Sequence, residues 1–160
     1  MRIQLKSKAG HLAYEGTNER GQTVQLSGDG DASSPMETVL MAGAACSAID
    51  VELILTKMKA APEGVEVRVE GIQAEDAPRV FQRIDLHYVI IGEVPAGKAE
   101  RSLQLSIEKY CSVLLMLRSA VEVHYTYELR PSVAREADAT RAGATGTSSG
   151  RSSETSAVQA

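Results

Sequence analysis

The feature that most constrains this chain is a stretch without surface. Between Thr38 and Leu55 the only carboxylates are Asp50 and Glu52, and there is no basic residue. Its centre, Ala42-Gly43-Ala44-Ala45-Cys46-Ser47-Ala48, is small on every side. The segment begins as a helix should. Ser34 is suited to the N-cap, Pro35 to the first turn and Glu37 to the third position, which together make a capping box. A helix apolar all round is buried all round, and small residues let another backbone approach closely. The longest run free of charge and proline, Thr38 to Ile49, is too short to span a bilayer, which takes roughly 20 residues. A domain of this size has few places to bury such a helix completely, so the pattern predicts a homodimer with this helix at its centre.

The rest of the chain supplies what the helix packs on. Ile84, Leu86, Tyr88 and Ile90 alternate with Arg83, Asp85 and His87 within Phe81–Ile91. Val121, Val123, Tyr125, Tyr127 and Leu129 alternate with Glu122, His124, Thr126 and Glu128. A period of two with one polar face reads as sheet with one wet side. Val65–Val69 repeats the pattern, and shorter signals lie at Ile3–Leu5, Leu12–Tyr14 and Val24–Leu26. Asn18-Glu19-Arg20-Gly21 supplies turn chemistry between the last two. A second helix is predicted from about Ala99 to Arg118, with Leu103, Ile107, Tyr110, Leu114 and Leu117 on one face. The order β-β-β-α-β-β-α-β predicts an α+β fold with a mainly antiparallel sheet and two central buried helices.

The last 30 residues are different material. Of Pro131–Ala160, 20 are Ser, Thr, Gly or Ala, and Val133 and Val158 are the only larger aliphatics. Such a segment cannot bury enough apolar surface to offset its chain entropy. The reading is therefore one domain over residues 1–130 and a disordered tail over 131–160. The tail's charges cancel, so the domain carries the whole net charge of −4. That mild acidity argues against a nucleic-acid partner and against a polybasic membrane surface. The N-terminus shows no apolar signal region, and two cysteines are too few for a disulfide-stapled secreted scaffold. A soluble cytoplasmic protein is expected.

Chemistry is concentrated in the cysteines. Cys46 lies in the middle of the apolar helix and Cys111 lies 65 residues on, before the apolar run Val113–Leu117. Both sit on core helices, so the two thiols can meet. A thiol becomes a reactive thiolate beside a cation or a helix N-terminus; Asp50, four residues after Cys46 on the same helical face, works against that. Without such a partner a buried cysteine simply packs as a small hydrophobe. No metal is expected, because His11, His87 and His124 are widely separated and match no zinc spacing. Gly28-Asp29-Gly30-Asp31 lacks the residues of a P-loop or an EF-hand.

Three segments carry a resemblance: Ser34-Pro35-Met36-Glu37, Ala44-Ala45-Cys46-Ser47-Ala48-Ile49-Asp50-Val51, and Lys109-Tyr110-Cys111-Ser112. Together with the element order, they resemble the OsmC/Ohr family, the osmotically inducible and organic-hydroperoxide-resistance proteins. The resemblance covers about residues 1–130. It implies a stress-response thiol peroxidase with no metal or flavin cofactor, built as an intertwined homodimer. Cys46 would attack an organic hydroperoxide and become a sulfenic acid, Cys111 would resolve it as a disulfide, and a lipoyl-type dithiol would reduce that. The family pairs the reactive thiolate with an Arg from the N-terminal strands and places a Glu directly after the helix-opening Pro. Here Met36 follows Pro35 and the carboxylate is Glu37; Arg20 and Arg79 are the candidate arginines. The alternative is a non-catalytic member that binds a small apolar ligand in the dimer cleft.

Overall fold

In the computed structural model the described residues are 1–7 and 12–132. His11 and nearly all of the expected tail, from residue 133 on, lie outside them. The first three strands, β1 (Ile3–Ser7), β2 (Ala13–Asn18) and β3 (Thr23–Ser27), form one antiparallel sheet in the order β1-β2-β3. The β2–β3 turn closes as its sequence dictates: the Asn18 side chain accepts from the backbone of Arg20 and Gln22, and Gly21 takes φ +77°.

Helix α1 (Pro35–Lys57) follows, and its start is the capping box. Ser34 Oγ accepts from the Glu37 N–H at 3.2 Å, while the Glu37 carboxylate accepts from the Ser34 N–H at 2.7 Å. At the other end the Lys59 and Ala60 N–H groups bond the Thr56 and Leu55 carbonyls, and Lys59 takes φ +54° in the left-handed region that closes such helix ends.

Strands β4 (Gly64–Gln73), β5 (Phe81–Ile91) and β6 (Glu122–Arg130) make the second sheet. β5 is its centre, antiparallel to β4 and parallel to β6. The α+β class and the largely antiparallel pairing are as the sequence predicts, with the strands divided between two sheets. The alternation holds as well. Ile84, Leu86, Tyr88 and Ile90 are buried against the helices, with Val123, Tyr125 and Tyr127 packed beside them. His87 and His124 stand on the polar face, where His87 Nδ1 lies 2.8 Å from Thr126 Oγ1.

One expectation about the helices needs correction. The second helix is not continuous. It runs as α2 (Ala96–Leu105), a single π-helical turn (Ser106–Tyr110), and α3 (Ser112–Leu117). The wider turn shifts the phase of the side chains, so Tyr110, expected on the apolar face, is exposed and Cys111 takes the fully buried position. Within one chain α1 is covered along one stripe only. Gly43, Ser47, Val51 and Leu55, spaced four apart, face inward, while Met41, Ala42, Ala45, Ile49 and Leu53 are exposed. By length and composition α1 could cross a membrane; in this fold its inward stripe packs on β4 and on the broken helix.

Gly71 of β4 lies where Phe81 of β5 and Leu40 of α1 leave no room for a side chain. A Cβ there would sit 2.4 Å from the Phe81 ring and 3.1 Å from Leu40 Cδ1. Gly71→Ala must displace Phe81, which is 7% exposed. Overpacking of this kind costs about 1–3 kcal/mol. The melting temperature should therefore fall by roughly 4–15 °C; an unchanged melting curve would show that the core yields freely.

Candidate functional site

The site forms where α1 meets the helical break, and the small residues of both make the meeting possible. Gly43 has no side chain, so Leu114 of α3 fits against α1; a Cβ at Gly43 would lie 3.1 Å from Leu114 Cδ2. Within the chain the space left by Gly43 is thus taken by a side chain of α3, while Ala42 and Ala45 of the same run are exposed. One helical turn on, Ser47 is fully buried. Its hydroxyl donates to the Ala44 carbonyl at 3.0 Å and accepts from Tyr88 Oη at 2.6 Å. Its carbonyl accepts from Ser106 Oγ at 3.0 Å. These bonds tie α1 to the sheet on one side and to the π turn on the other. Burial pushes the Tyr88 hydroxyl up to about 12, so it stays a neutral donor.

The break itself presents Cys111. Its N–H bonds the Ser106 carbonyl at 2.8 Å, closing the π turn, and its ψ of 99° ends the helical path. The thiol becomes the N-cap of α3, with Sγ 3.5 Å from the Leu114 N–H that it accepts. Sγ also points at the Gly43 carbonyl, 3.9 Å away. The Arg118 guanidinium donates to the Ile107 carbonyl at 3.1 Å, satisfying one acceptor of the wide turn. Such π turns recur at functional sites because they re-aim a side chain at modest cost.

On α1, Cys46 and Asp50 are one turn apart and face this break. The two sulfurs and one Asp50 carboxylate oxygen all lie within 4.8 Å of one another. Cys46 is half-buried and Cys111 fully buried, and both are free thiols. Asp50 Oδ2 is buried without a hydrogen-bond partner. Burial pushes the Asp50 carboxyl above its usual range, with a hydrogen bond from Ser106 opposing. Burial also pushes the Cys111 thiol up to about 12, the Leu114 N–H opposing it and Cys46 adding to it. Two thiols and a carboxylate are also donors that a thiophilic cation accepts. A search by sequence spacing does not find this set, because it rests on the approach of two helices.

The other expected site residues lie elsewhere. Glu37 is exposed and occupied by the capping box, where the Ser34 N–H holds its carboxyl below the usual range. Arg20 is exposed in the β2–β3 turn. Arg79 is exposed in the β4–β5 connection, and its Nε donates to the Ala74 carbonyl at 3.4 Å.

The geometry can be set beside known proteins. A family profile described as OsmC-like protein matches residues 28–126, which span α1 and both cysteines. The chain belongs to the OsmC-like family. It is 42% identical over 121 residues to the protein YhfA of Escherichia coli K12, covering 74% of this chain and 90% of that one. A crystal structure of a hypothetical protein from Aquifex aeolicus shares the fold with a TM-score of 0.75 at 25% identity, covering 82% of this chain and 96% of its own. A structure from Legionella pneumophila, described as an organic hydroperoxide resistance protein OsmC, matches with a TM-score of 0.60 at 20% identity, covering 83% and 98%.

The raised Cys111 thiol gives a labelling prediction. A pKa near 12 leaves roughly one thiolate in ten thousand at pH 8, and the thiolate is the nucleophile. Iodoacetamide at pH 8 should label folded protein once, at Cys46, and both cysteines after denaturation. Equal labelling of Cys111 in the folded state would contradict its burial.

Proposed function

We propose that this OsmC-like protein is a thiol-dependent peroxidase that reduces organic hydroperoxides in a stress response. The observation that carries the reading is the approach of Cys46 and Cys111, whose sulfurs are within 4.8 Å. A disulfide brings two sulfurs to about 2.05 Å, so forming it requires the two side chains to move toward each other. Their unequal burial supports a division of roles. Half-buried Cys46 meets the peroxide and becomes the sulfenic acid; Cys111, shielded from solvent, resolves it. A lipoyl-type dithiol then exchanges with the disulfide. Exposed Ala42, Ala45 and Ile49 around Cys46 suit an alkyl or aryl substituent. The proposed cycle runs on thiol chemistry. The similarity to a Legionella protein described as conferring organic hydroperoxide resistance supports the same class. We place the activity in the cytoplasm, where thiols are kept reduced.

The working unit in this proposal is a homodimer. The register pairs Leu5 with Gly16 and Gly16 with Val24, and likewise Ser7 with Tyr14 and Tyr14 with Leu26. That gathers Leu5, Tyr14, Val24 and Leu26 on one face of the N-terminal sheet, where Leu5, Tyr14 and Val24 are exposed. The open side of α1 adds Met41, Ile49 and Leu53. Apolar surface of this extent calls for cover, and a second copy would wall the approach to Cys46. Light scattering should give twice the 17.1 kDa chain mass; a monomer at micromolar concentration would remove this part of the proposal.

One observation favours a second reading. Arg20 and Arg79 are both exposed, in the β2–β3 turn and the β4–β5 connection, so the same cleft could hold a small apolar ligand without turnover. The cysteine variants separate the two. With cumene hydroperoxide, Cys111→Ser should stall as a sulfenic acid at Cys46 that dimedone traps. Cys46→Ser should abolish turnover with dithiothreitol or a lipoyl reductant. Failure of dimedone to label Cys111→Ser would favour the ligand-binding reading.

A further inference from the structure

The thiol pair has a third member that the peroxidase reading does not use. Asp50 is one helical turn from Cys46, and one of its carboxylate oxygens is within 4.8 Å of both sulfurs. Its Oδ2 is buried and has no hydrogen-bond partner. An unsatisfied buried carboxylate oxygen is costly. It persists where a partner arrives with the reaction. The titratable groups that face it are Cys46 from its own helix, Cys111 from the helical break and Tyr88 from β5. Tyr88 donates to Ser47. Besides the Ser106 hydroxyl, which bonds the carboxylate, what remains beside it is two S–H groups.

A negative charge beside a thiol disfavours the thiolate. Asp50 therefore cannot act as the electrostatic partner that an arginine would be. It can act as a base and then as an acid. We propose that Asp50 is the proton carrier of the thiol pair, serving both steps of hydroperoxide reduction; this rests on the peroxidase reading above. In the first step the Cys46 proton passes to Asp50. The sulfur attacks the distal peroxide oxygen, the S–O bond forms and the O–O bond breaks. Its electron pair leaves on the alkoxide, which takes the proton from Asp50 and departs as the alcohol. Sulfur is oxidised by two electrons and the peroxide is reduced by two. In the second step the Cys111 proton passes to Asp50. Cys111 Sγ attacks Cys46 Sγ, the S–S bond forms and the S–O bond breaks. The departing hydroxide takes the proton and leaves as water, and the carboxylate is ready again.

The surroundings fit this role. Burial raises the carboxyl toward the thiols it must exchange with, and proton transfer is most effective when donor and acceptor are matched. Cys111, pushed up to about 12, needs a local base to attack at neutral pH. A separation of up to 4.8 Å is longer than a hydrogen bond. Catalytic hydrogen bonds in substrate-free sites are often long, and one water can bridge them.

The test compares Asp50→Asn and Asp50→Glu, each in Cys111→Ser protein, with the Cys111→Ser parent. Two rates at Cys46 are measured at pH 7: sulfenic acid formation with cumene hydroperoxide, and alkylation by iodoacetamide, whose iodide leaves without a proton. General acid–base groups contribute about 10²–10⁴-fold. Asp50→Asn should slow the peroxide reaction by at least about tenfold without slowing alkylation, and Asp50→Glu should recover much of the rate. A peroxide rate in Asp50→Asn within twofold of the parent, or equal slowing of both reactions, overturns the assignment and leaves the peroxidase reading standing. A parent protein inert to the peroxide but readily alkylated removes both. Should Asp50→Asn fail to fold, the parent in D2O decides: the peroxide rate should fall about twofold or more, and an unchanged rate overturns the carrier role.

Discussion

The fold turns on the approach of two helices that meet over small residues of α1. Gly43 leaves room for Leu114, and Ser47 is small enough to be fully buried between β5 and the π turn. Everything at the candidate site follows from that approach. It fixes the face of α1 that looks inward, and with it Cys46 and Asp50. It holds the break in the second helix, through the Ser106 hydroxyl on the Ser47 carbonyl. The break then turns Cys111 toward the Gly43 carbonyl. A larger residue at Gly43 would push α3 outward and carry Cys111 with it.

Burial then sets the chemistry. The site is low in water and its ionisable members are all acids, so each opposes the charging of the others. Cys111 is held neutral by desolvation, which outweighs the Leu114 N–H that its sulfur accepts. Asp50 feels the same pressure and is relieved only by Ser106. A cluster of this kind favours passing a proton between neighbours over stabilising a lone thiolate. This distinguishes the site from one organised around an arginine. It also gives a physical reason why Arg20 and Arg79 can lie on exposed turns.

Much of the fold was legible in the chain because its signals are local. The Ser34–Glu37 capping box, the alternation along β5 and β6 and the Asn18–Gly21 turn each depend on residues a few positions apart. The two cysteines were legible as a pair from their place in two apolar helices. The π turn was not, because 106–110 reads as ordinary helix and only the phase of Cys111 against Tyr110 betrays the extra residue. Asp50 was visible only as an obstacle to a thiolate. Its place beside Cys111 depends on a contact across 61 residues of sequence. The arginines were sought by analogy of position, and their surroundings in this chain are turns. The division of the strands into two sheets was also hidden, since alternation marks a strand's wet face and not its neighbours.

The central claim is that the helix contact places Cys46 and Cys111 to act as one redox unit. The direct measurement is a thiol count, taken in denaturant, on pre-reduced protein before and after the folded chain meets one equivalent of cumene hydroperoxide. The account predicts a fall from two thiols per chain to none, with one cumyl alcohol formed and both thiols restored by dithiothreitol. Two thiols remaining, or the loss of one alone in the wild-type chain, would contradict it.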